Sequence, residues 1–164
     1  MTRCWISIGS NQARERSIRA AVTALREQFG PLVLSRVYET AAVGFDGEPF
    51  FNLVAGIDTE RPVGEVVRQL RVIENANGRV RGGERFAPRT LDLDLLTYGD
   101  CAGEIDGVNL PRAEILRQAF VLGPLAEVAP TERHPILGLT YARLWAGYRG
   151  DKVLRPIDLA LPTE

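Results

Sequence analysis

The apolar residues of this chain recur at two spacings, which alternate along roughly the first hundred positions. Runs that alternate, or that are rich in β-branched and aromatic residues, predict strands at 4–8, 32–38, 50–57 and 90–98. Residues 14–29 and 63–73 instead carry apolar side chains at steps of three and four, which predicts amphipathic helices. The predicted order of elements is therefore β-α-β-β-α-β.

Glycine and proline residues mark where these elements end. Gly30 and Pro31 are expected to end the first helix, and Gly78 the second. A further helix is expected around Ala113 to Val128, because prolines bound this segment on both sides. A polar tail without an assigned role follows Gly147.

The order of elements predicts an α+β fold. It is that of a ferredoxin-like βαββαβ sandwich, an antiparallel sheet with helices packed on one face. A helical or irregular C-terminal extension follows it. With 164 residues, of which 45% are hydrophobic, we expect residues 1–164 to form a single domain.

Composition narrows the classes of partner. A net charge of -1 gives no general attraction for nucleic acid or an anionic membrane, so neither is expected as a partner. The two cysteines, Cys4 and Cys101, are too few for a disulfide framework and predict free thiols in a reducing compartment. No apolar stretch is long enough to span a bilayer. We expect a soluble, cytoplasmic monomer.

One segment combines arginines with paired carboxylates. Four arginines within residues 78–94 precede two aspartates: Arg79, Arg81, Arg85, Arg89, Asp92 and Asp94. Aspartates two positions apart on a strand lie about 6.6 Å apart and point to the same side. Such a pair suits magnesium, which binds one or two carboxylates together with phosphate oxygens. The planar guanidinium groups of arginines can donate paired hydrogen bonds to the oxygens of a polyphosphate. The segment therefore predicts metal-dependent chemistry on a nucleoside triphosphate.

Simpler interpretations remain open at this stage. The aspartates could form the solvated face of a strand, and the arginines an ordinary surface loop. No Walker loop and no Gly-x-Gly-x-x-Gly motif after a strand is present, so side chains must hold the phosphates. The single histidine, His134, lies near prolines and is predicted to be an exposed turn residue rather than a catalytic base.

The segment Phe86-Ala87-Pro88-Arg89-Thr90-Leu91-Asp92-Leu93-Asp94 resembles the signature of the 6-hydroxymethyl-7,8-dihydropterin pyrophosphokinases. Further matches are Ile8-Gly9-Ser10-Asn11, Tyr38-Glu39-Thr40, Pro49-Phe50-Phe51-Asn52, Gly78-Arg79-Val80-Arg81 and Ala119-Phe120-Val121-Leu122-Gly123-Pro124-Leu125. The resemblance implies transfer of pyrophosphate from ATP to the hydroxymethyl group of the pterin. It also implies that AMP is released and that the reaction belongs to folate biosynthesis.

The resemblance also implies roles for individual residues. Asp92 and Asp94 would hold two magnesium ions, and Asn52, Thr40, Val43 and Phe120 would bind the pterin. Arg79, Arg81, Arg85 and Arg89 would stabilise the polyphosphate during transfer. Arg71, Glu74, Leu95 and Arg112 would lie near the nucleotide.

Several positions depart from the family pattern. Arg112 and Ala113 stand where a histidine and an aromatic residue are common, Gln118 stands in place of an arginine, and Gly82 in place of a lysine. Fewer positive groups predict weaker ATP binding. A divergent paralogue with weak or no activity and a regulatory role therefore remains an alternative. An RNA-binding module is less favoured, because it requires exposed aromatic residues on a basic surface.

Overall fold

The computed structural model describes residues 1–41, 48–77 and 91–163. The strands are β1 (Thr2–Ser10), β2 (Val33–Leu34), β3 (Val37–Thr40), β4 (Phe50–Thr59), β5 (Asp92–Tyr98), β6 (Gly103–Ile105), β7 (Val108–Leu110) and β8 (Arg155–Ile157). The helices are α1 (Arg14–Phe29), α2 (Val63–Ala76), α3 (Glu114–Arg117), α4 (Ala119–Val128) and α5 (Tyr141–Ala146). The expected helices at 14–29 and 63–73 are thus present.

The main sheet is antiparallel throughout. Its strands lie in the order β5-β1-β4-β3-β8. The short β2 also pairs with β4, next to the part of β4 that pairs with β3. When β2 and β3 are taken as one interrupted strand, this is the arrangement expected from the β-α-β-β-α-β order. The ferredoxin-like prediction is confirmed.

The strand expected at 32–38 is interrupted at Ser35. The backbone N–H of Ser35 donates to the carbonyl of Val54 at 2.9 Å, and the Ser35 hydroxyl accepts from the Val54 N–H at 2.9 Å. A side chain thus replaces one backbone group of the ladder, which divides the strand into β2 and β3.

Helices cover both faces of the sheet. The apolar faces of α1 and α2 pack on one face and form the larger core cluster with residues such as Ile18, Leu25 and Leu70. The other face is covered by α3, α4 and α5 around Trp5 and Tyr141. The C-terminal extension therefore adds the third layer, beyond the single covered face expected from the first hundred residues.

The C-terminal segment is more ordered than the sequence indicates. The helix expected around 113–128 is two helices, α3 and α4, because Gln118 adopts an extended backbone conformation between them. In the tail, β8 pairs with β3 at the edge of the main sheet. Leu159 and Leu161 then pack against the core cluster under α1 and α2.

The exposure predicted for His134 is wrong. Its side chain is buried at 3% exposure, and Nδ1 accepts from the backbone N–H groups of Ile136 and Leu137, both at 3.2 Å. Burial lowers its pKa. The residue therefore stabilises a turn from the inside, and it does not line either of the pockets described below.

Both cysteines are free, and Cys4 is buried in the core. Among the residues that the structure describes, no helix combines the length and apolar character that crossing a membrane requires.

Candidate active site

A pocket of about 250 Å³ opens on the face of the sheet that carries α4. Strand register forms its floor, because Gly9 of β1 pairs with both Asn52 of β4 and Asp92 of β5. Directly paired residues point to the same face of a sheet. The pocket is lined by Ser7, Ile8, Gly9, Thr40, Ala41, Phe50, Asn52, Asp92, Asp94 and Phe120. We call it the first pocket.

Gly9 is required by the close approach of Asn52. A Cβ atom at position 9 would lie 2.9 Å from Oδ1 of Asn52, which is closer than side-chain atoms pack. The glycine therefore leaves room for the Asn52 carboxamide beside Asp92.

The orientation of the Asn52 carboxamide is fixed by Thr40. Nδ2 of Asn52 donates to Oγ1 of Thr40 at 2.6 Å, and both residues are buried. Oδ1 is left on the side of Gly9, where it can accept a hydrogen bond. The floor of the first pocket thus presents a positioned acceptor to the flat edge of a ligand.

Two aromatic side chains line the same pocket. Phe50 begins β4, and Phe120 lies in the first turn of α4, two residues after the extended Gln118. Aromatic rings combined with a few fixed polar groups are the usual means of holding a flat heterocycle.

Asp92 and Asp94 lie on the pocket face of β5, and Leu93 and Leu95 lie on the core face, as the alternation predicts. Both carboxylates are half-buried. Within residues 1–41, 48–77 and 91–163, no group of three or more metal-binding side chains occurs. Two hard oxygen ligands nevertheless suit magnesium, which retains waters and binds substrate phosphates. The residues present therefore fit the metal that the resemblance implies.

A second pocket, of about 380 Å³, lies beside the outer edge of β5. Its lining includes three residues that the resemblance places near the nucleotide, Arg71, Leu95 and Arg112. Nη2 of Arg71 and Nη2 of Arg112 lie 3.6 and 3.5 Å from Oδ1 of Asp94. Asp94 therefore connects the two pockets.

Glu74 supports the second pocket from below. It is 1% exposed, its Oε2 accepts from the backbone N–H of Leu93 at 2.8 Å, and its Oε1 pairs with Arg71. Arg71 also donates to the carbonyl of Leu93 at 3.2 Å. Burial lowers the pKa of Arg71, but the hydrogen bond to Glu74 and the charges of Glu74 and Asp94 outweigh it, so the pKa is raised. Glu74 therefore acts on the pocket through Arg71 and does not line it.

The remaining residues assigned from the sequence lie outside the described residues. They are Val43, Arg79, Arg81, Arg85 and Arg89.

Sequence reasoning missed several lining residues. Ser7, Gly9 and Phe50 had no role assigned, because only strand register brings them together with Asp92. The second pocket also includes Asn109 of β7, which forms a hairpin with β6. The two-residue turn of this hairpin is Asp106-Gly107, with φ values of 51° and 79°. An Asp-Gly pair is typical of such turns, so the sequence could have predicted the hairpin.

Comparisons with known proteins identify the family of the chain. Residues 5–130 match the model of the family described as 7,8-dihydro-6-hydroxymethylpterin-pyrophosphokinase (HPPK). The chain is 36% identical to the 2-amino-4-hydroxy-6-hydroxymethyldihydropteridine pyrophosphokinase of Pseudomonas aeruginosa over 137 residues, which cover 81% of this chain and 84% of that protein. It is 35% identical to the protein of the same name from Bacillus subtilis, over 76% of each chain.

A solved structure has the same fold. The crystal structure of Plasmodium falciparum HPPK-DHPS matches with a TM-score of 0.71 at 13% identity, over 90% of this chain and 44% of that one. This chain therefore spans less than half of the P. falciparum protein, and at that identity the likeness concerns the fold alone. The family match and the identities to the bacterial relatives are independent of it, and by them the chain belongs to the 7,8-dihydro-6-hydroxymethylpterin-pyrophosphokinase family.

Proposed function

We propose that this chain carries out the reaction of its family in the two pockets that Asp94 connects. The reaction transfers pyrophosphate from ATP to the hydroxymethyl group of 6-hydroxymethyl-7,8-dihydropterin and releases AMP, as a step of folate biosynthesis. The observation that carries the proposal is the position of Asp94, which lines the first pocket and lies within 3.6 Å of both arginines of the second. A group transferred between ligands in these pockets passes this carboxylate.

The first pocket is proposed to bind the pterin. Its flat ring would lie between Phe50 and Phe120, and Oδ1 of Asn52 would accept from a donor on its polar edge. Thr40 contributes by holding the Asn52 carboxamide in that orientation. The contact assigned to Val43 remains a proposal from the sequence.

Asp92 and Asp94 are proposed to hold two magnesium ions. A metal held by these two carboxylates would supply positive charge that offsets the charge developing on the phosphates. The protein supplies both carboxylates from one face of a rigid strand in the middle of the site. Their spacing is therefore set by the backbone of β5.

The second pocket is proposed to bind ATP. Arg71 and Arg112 would donate to its phosphates, Leu95 would provide apolar contact, and Glu74 would hold Arg71 in place. The four arginines of the 78–90 segment are also proposed to bind the polyphosphate, with Arg81 and Arg85 stabilising the charge of the transition state. They are Arg79, Arg81, Arg85 and Arg89.

The transfer consists of one substitution at the β-phosphorus of ATP. The hydroxymethyl oxygen forms a bond to the β-phosphorus. The bond between the β-phosphorus and the oxygen that links it to the α-phosphorus breaks, and AMP leaves with the electron pair of that bond. The hydroxyl proton is released to solvent. Among the described residues that line the first pocket, only Asp92 and Asp94 have acidic or basic side chains, and both are proposed to hold magnesium. Positioning and electrostatic stabilisation therefore supply most of the rate.

We further propose that residues 1–164 act as a single pyrophosphokinase domain, as a monomer in the cytoplasm. Pairing of β8 with β3 supports one domain, since it joins the tail to the sheet that carries the site. All residues proposed for the site belong to one chain, and the two free cysteines are typical of a reducing compartment.

The experiment that tests this proposal identifies the products. The chain is incubated with ATP, magnesium and 6-hydroxymethyl-7,8-dihydropterin, and the products are separated and examined by phosphorus NMR. AMP and a pterin diphosphate in equal amounts are expected. ADP together with a pterin monophosphate would contradict the proposal, and so would AMP formation that does not depend on the pterin.

A further inference from the structure

Arg14, the first residue of α1, joins two points of the chain on either side of the β3–β4 connection. Its Nη1 donates to Oε2 of Glu39 on β3 and to the carbonyl of Pro49, the residue before β4, both at 3.1 Å. One end of a single guanidinium group thus holds the end of one strand and the beginning of the next.

The same guanidinium stacks on the core. Its Cζ lies 4.1 Å from the ring centroid of Phe51, which is 6% exposed. The side chains of Arg14 and Glu39 are each only 26% exposed. An arginine that is partly desolvated and stacked on an aromatic ring has a better-defined position than one that makes a surface ion pair.

Along β3 and β4, the residues that contact Arg14 are direct neighbours in sequence of residues that line the first pocket. Glu39 precedes Thr40, and Phe51 lies between Phe50 and Asn52. In the strand pair, Glu39 is opposite Phe51 and Thr40 is opposite Phe50. Neighbouring residues of a strand point to opposite faces, so Arg14 lies behind the pocket, on the reverse side of the two strands that form it.

The tail adds a second cation to the same carboxylate. In the β3–β8 pair, Arg155 is opposite Glu39, and its Nη1 lies 3.8 Å from Oε1 of Glu39. Arg155 is 77% exposed, so its contribution is smaller than that of Arg14. Both oxygens of Glu39 thus face a guanidinium group.

From this arrangement we propose that Arg14 is a positioning residue for the pterin. It fixes the distance between the end of β3 and the beginning of β4, and thereby the hydrogen bond from Asn52 to Thr40 and the place of Phe50 in the first pocket. The inference deepens the proposed function and rests on it. Arg14 itself does not line the pocket.

The test compares ligand binding in the wild-type chain, Arg14→Ala, Arg14→Lys and Glu39→Gln. Dissociation constants are measured by calorimetry for a non-hydrolysable ATP analogue with magnesium, and for the pterin in the presence of that analogue. The matched control is Arg3→Ala, which removes the two hydrogen bonds from Arg3 to Asp58 at the other end of β1 and β4.

Arg14→Ala is expected to raise the dissociation constant of the pterin about tenfold, because a small misplacement of the contacting groups is sufficient for that effect. The constant for the ATP analogue is expected to stay within about twofold, because the second pocket lies at the opposite edge of the sheet. Arg14→Lys, which keeps the charge but not the fork, should have an intermediate effect. Arg3→Ala should lower the melting temperature and leave both constants unchanged.

Two results would overturn the inference alone. One is a pterin constant in Arg14→Ala that equals that of Arg3→Ala at a similar loss of thermal stability. The other is an equal weakening of pterin and ATP analogue, which indicates general loosening of the fold. If Arg14→Ala does not fold, Glu39→Gln decides in its place, with the same expectation for the pterin constant. Absence of pterin binding by the wild-type chain would instead overturn the proposed function, and the inference with it.

Discussion

Nη2 of Arg112 lies 3.5 Å from Oδ1 of Asp94, the carboxylate that we propose as a magnesium ligand. The backbone N–H of Arg112 donates to the carbonyl of Leu96 at 2.8 Å, so the residue is fixed to β5 two positions beyond the aspartate. Arg71 lies 3.6 Å from the same oxygen, so two guanidinium groups face this carboxylate. Under the proposed function, both arginines would donate to phosphates of ATP beside Asp94.

Replacing Arg112 tests its assignment to the nucleotide. Arg112→Ala is expected to raise the KM for ATP about tenfold or more, because a charge-assisted hydrogen bond to phosphate is lost. The dissociation constant of the pterin should not change. Arg117→Ala removes an exposed arginine from the end of α3 and is the matched control. An unchanged KM for ATP in Arg112→Ala would remove Arg112 from the nucleotide site.

Glu74 is expected to matter for stability. Glu74→Ala leaves the buried N–H of Leu93 without an acceptor and removes one of the two described acceptors of Nη1 of Arg71, and it should lower the free energy of unfolding by about 2 kcal/mol. The figure allows for the 36% exposure of Arg71. Urea denaturation measures it, with Glu65→Ala in the exposed first turn of α2 as control, for which about 1 kcal/mol or less is expected. Equal losses in both variants would contradict this account.

The aromatic side chains of the first pocket should contribute to the binding of the pterin but not of ATP. Phe50→Ala and Phe120→Ala are each expected to raise its dissociation constant about tenfold or more, since stacking and apolar contact are lost. The constant for an ATP analogue should remain within about twofold. Phe29→Ala, at the end of α1 beside Arg61, removes an aromatic ring away from both pockets and should affect stability only. Normal pterin binding by both pocket variants would exclude the stacking arrangement.

The elements that local pattern determines are the ones that could be predicted. The bounds 14–29 of α1 follow from the spacing of its apolar residues, and the common face of Asp92 and Asp94 follows from alternation along one strand. The pairing of Gly9 with both Asn52 and Asp92 could not be predicted in this way. Register between strands far apart in the sequence depends on the packing of the whole sheet.

Tertiary contacts also explain the wrong prediction for His134. Its neighbours in the sequence are polar or proline residues, which are typical of an exposed turn. His134 is buried because it packs beside Tyr141, whose ring centroid lies 6.5 Å away. The backbone N–H of His134 also donates to the carbonyl of Leu139, which holds the histidine in this position. Similarly, β8 is defined by its partner β3 and not by a strand pattern of its own.

The buried histidine gives the protein a predicted pH dependence. Because burial lowers the pKa of His134 in the folded state, the unfolded chain binds a proton more readily. Its contribution to stability is complete above the unfolded pKa of about 6.5 and is lost as the pH falls through the lower folded pKa. His134→Asn keeps an acceptor for the two backbone N–H groups and does not titrate. As the pH falls from about 7 to about 5, the free energy of unfolding of the wild type should therefore decrease more than that of the variant. A difference that does not change with pH would contradict the prediction.

The most direct test of the central claim measures AMP formation from ATP and magnesium, with and without 6-hydroxymethyl-7,8-dihydropterin. Wild type, Asp94→Ala and Asp58→Ala are compared, the last being a control in which an aspartate paired with Arg3 is lost from the far end of β4. The account predicts AMP formation that depends on the pterin, that persists in Asp58→Ala and that falls by at least about a hundredfold in Asp94→Ala. No AMP from the wild type at saturating substrates would contradict it and favour a divergent paralogue without activity, and full activity in Asp94→Ala would contradict the role of Asp94 in connecting the two pockets.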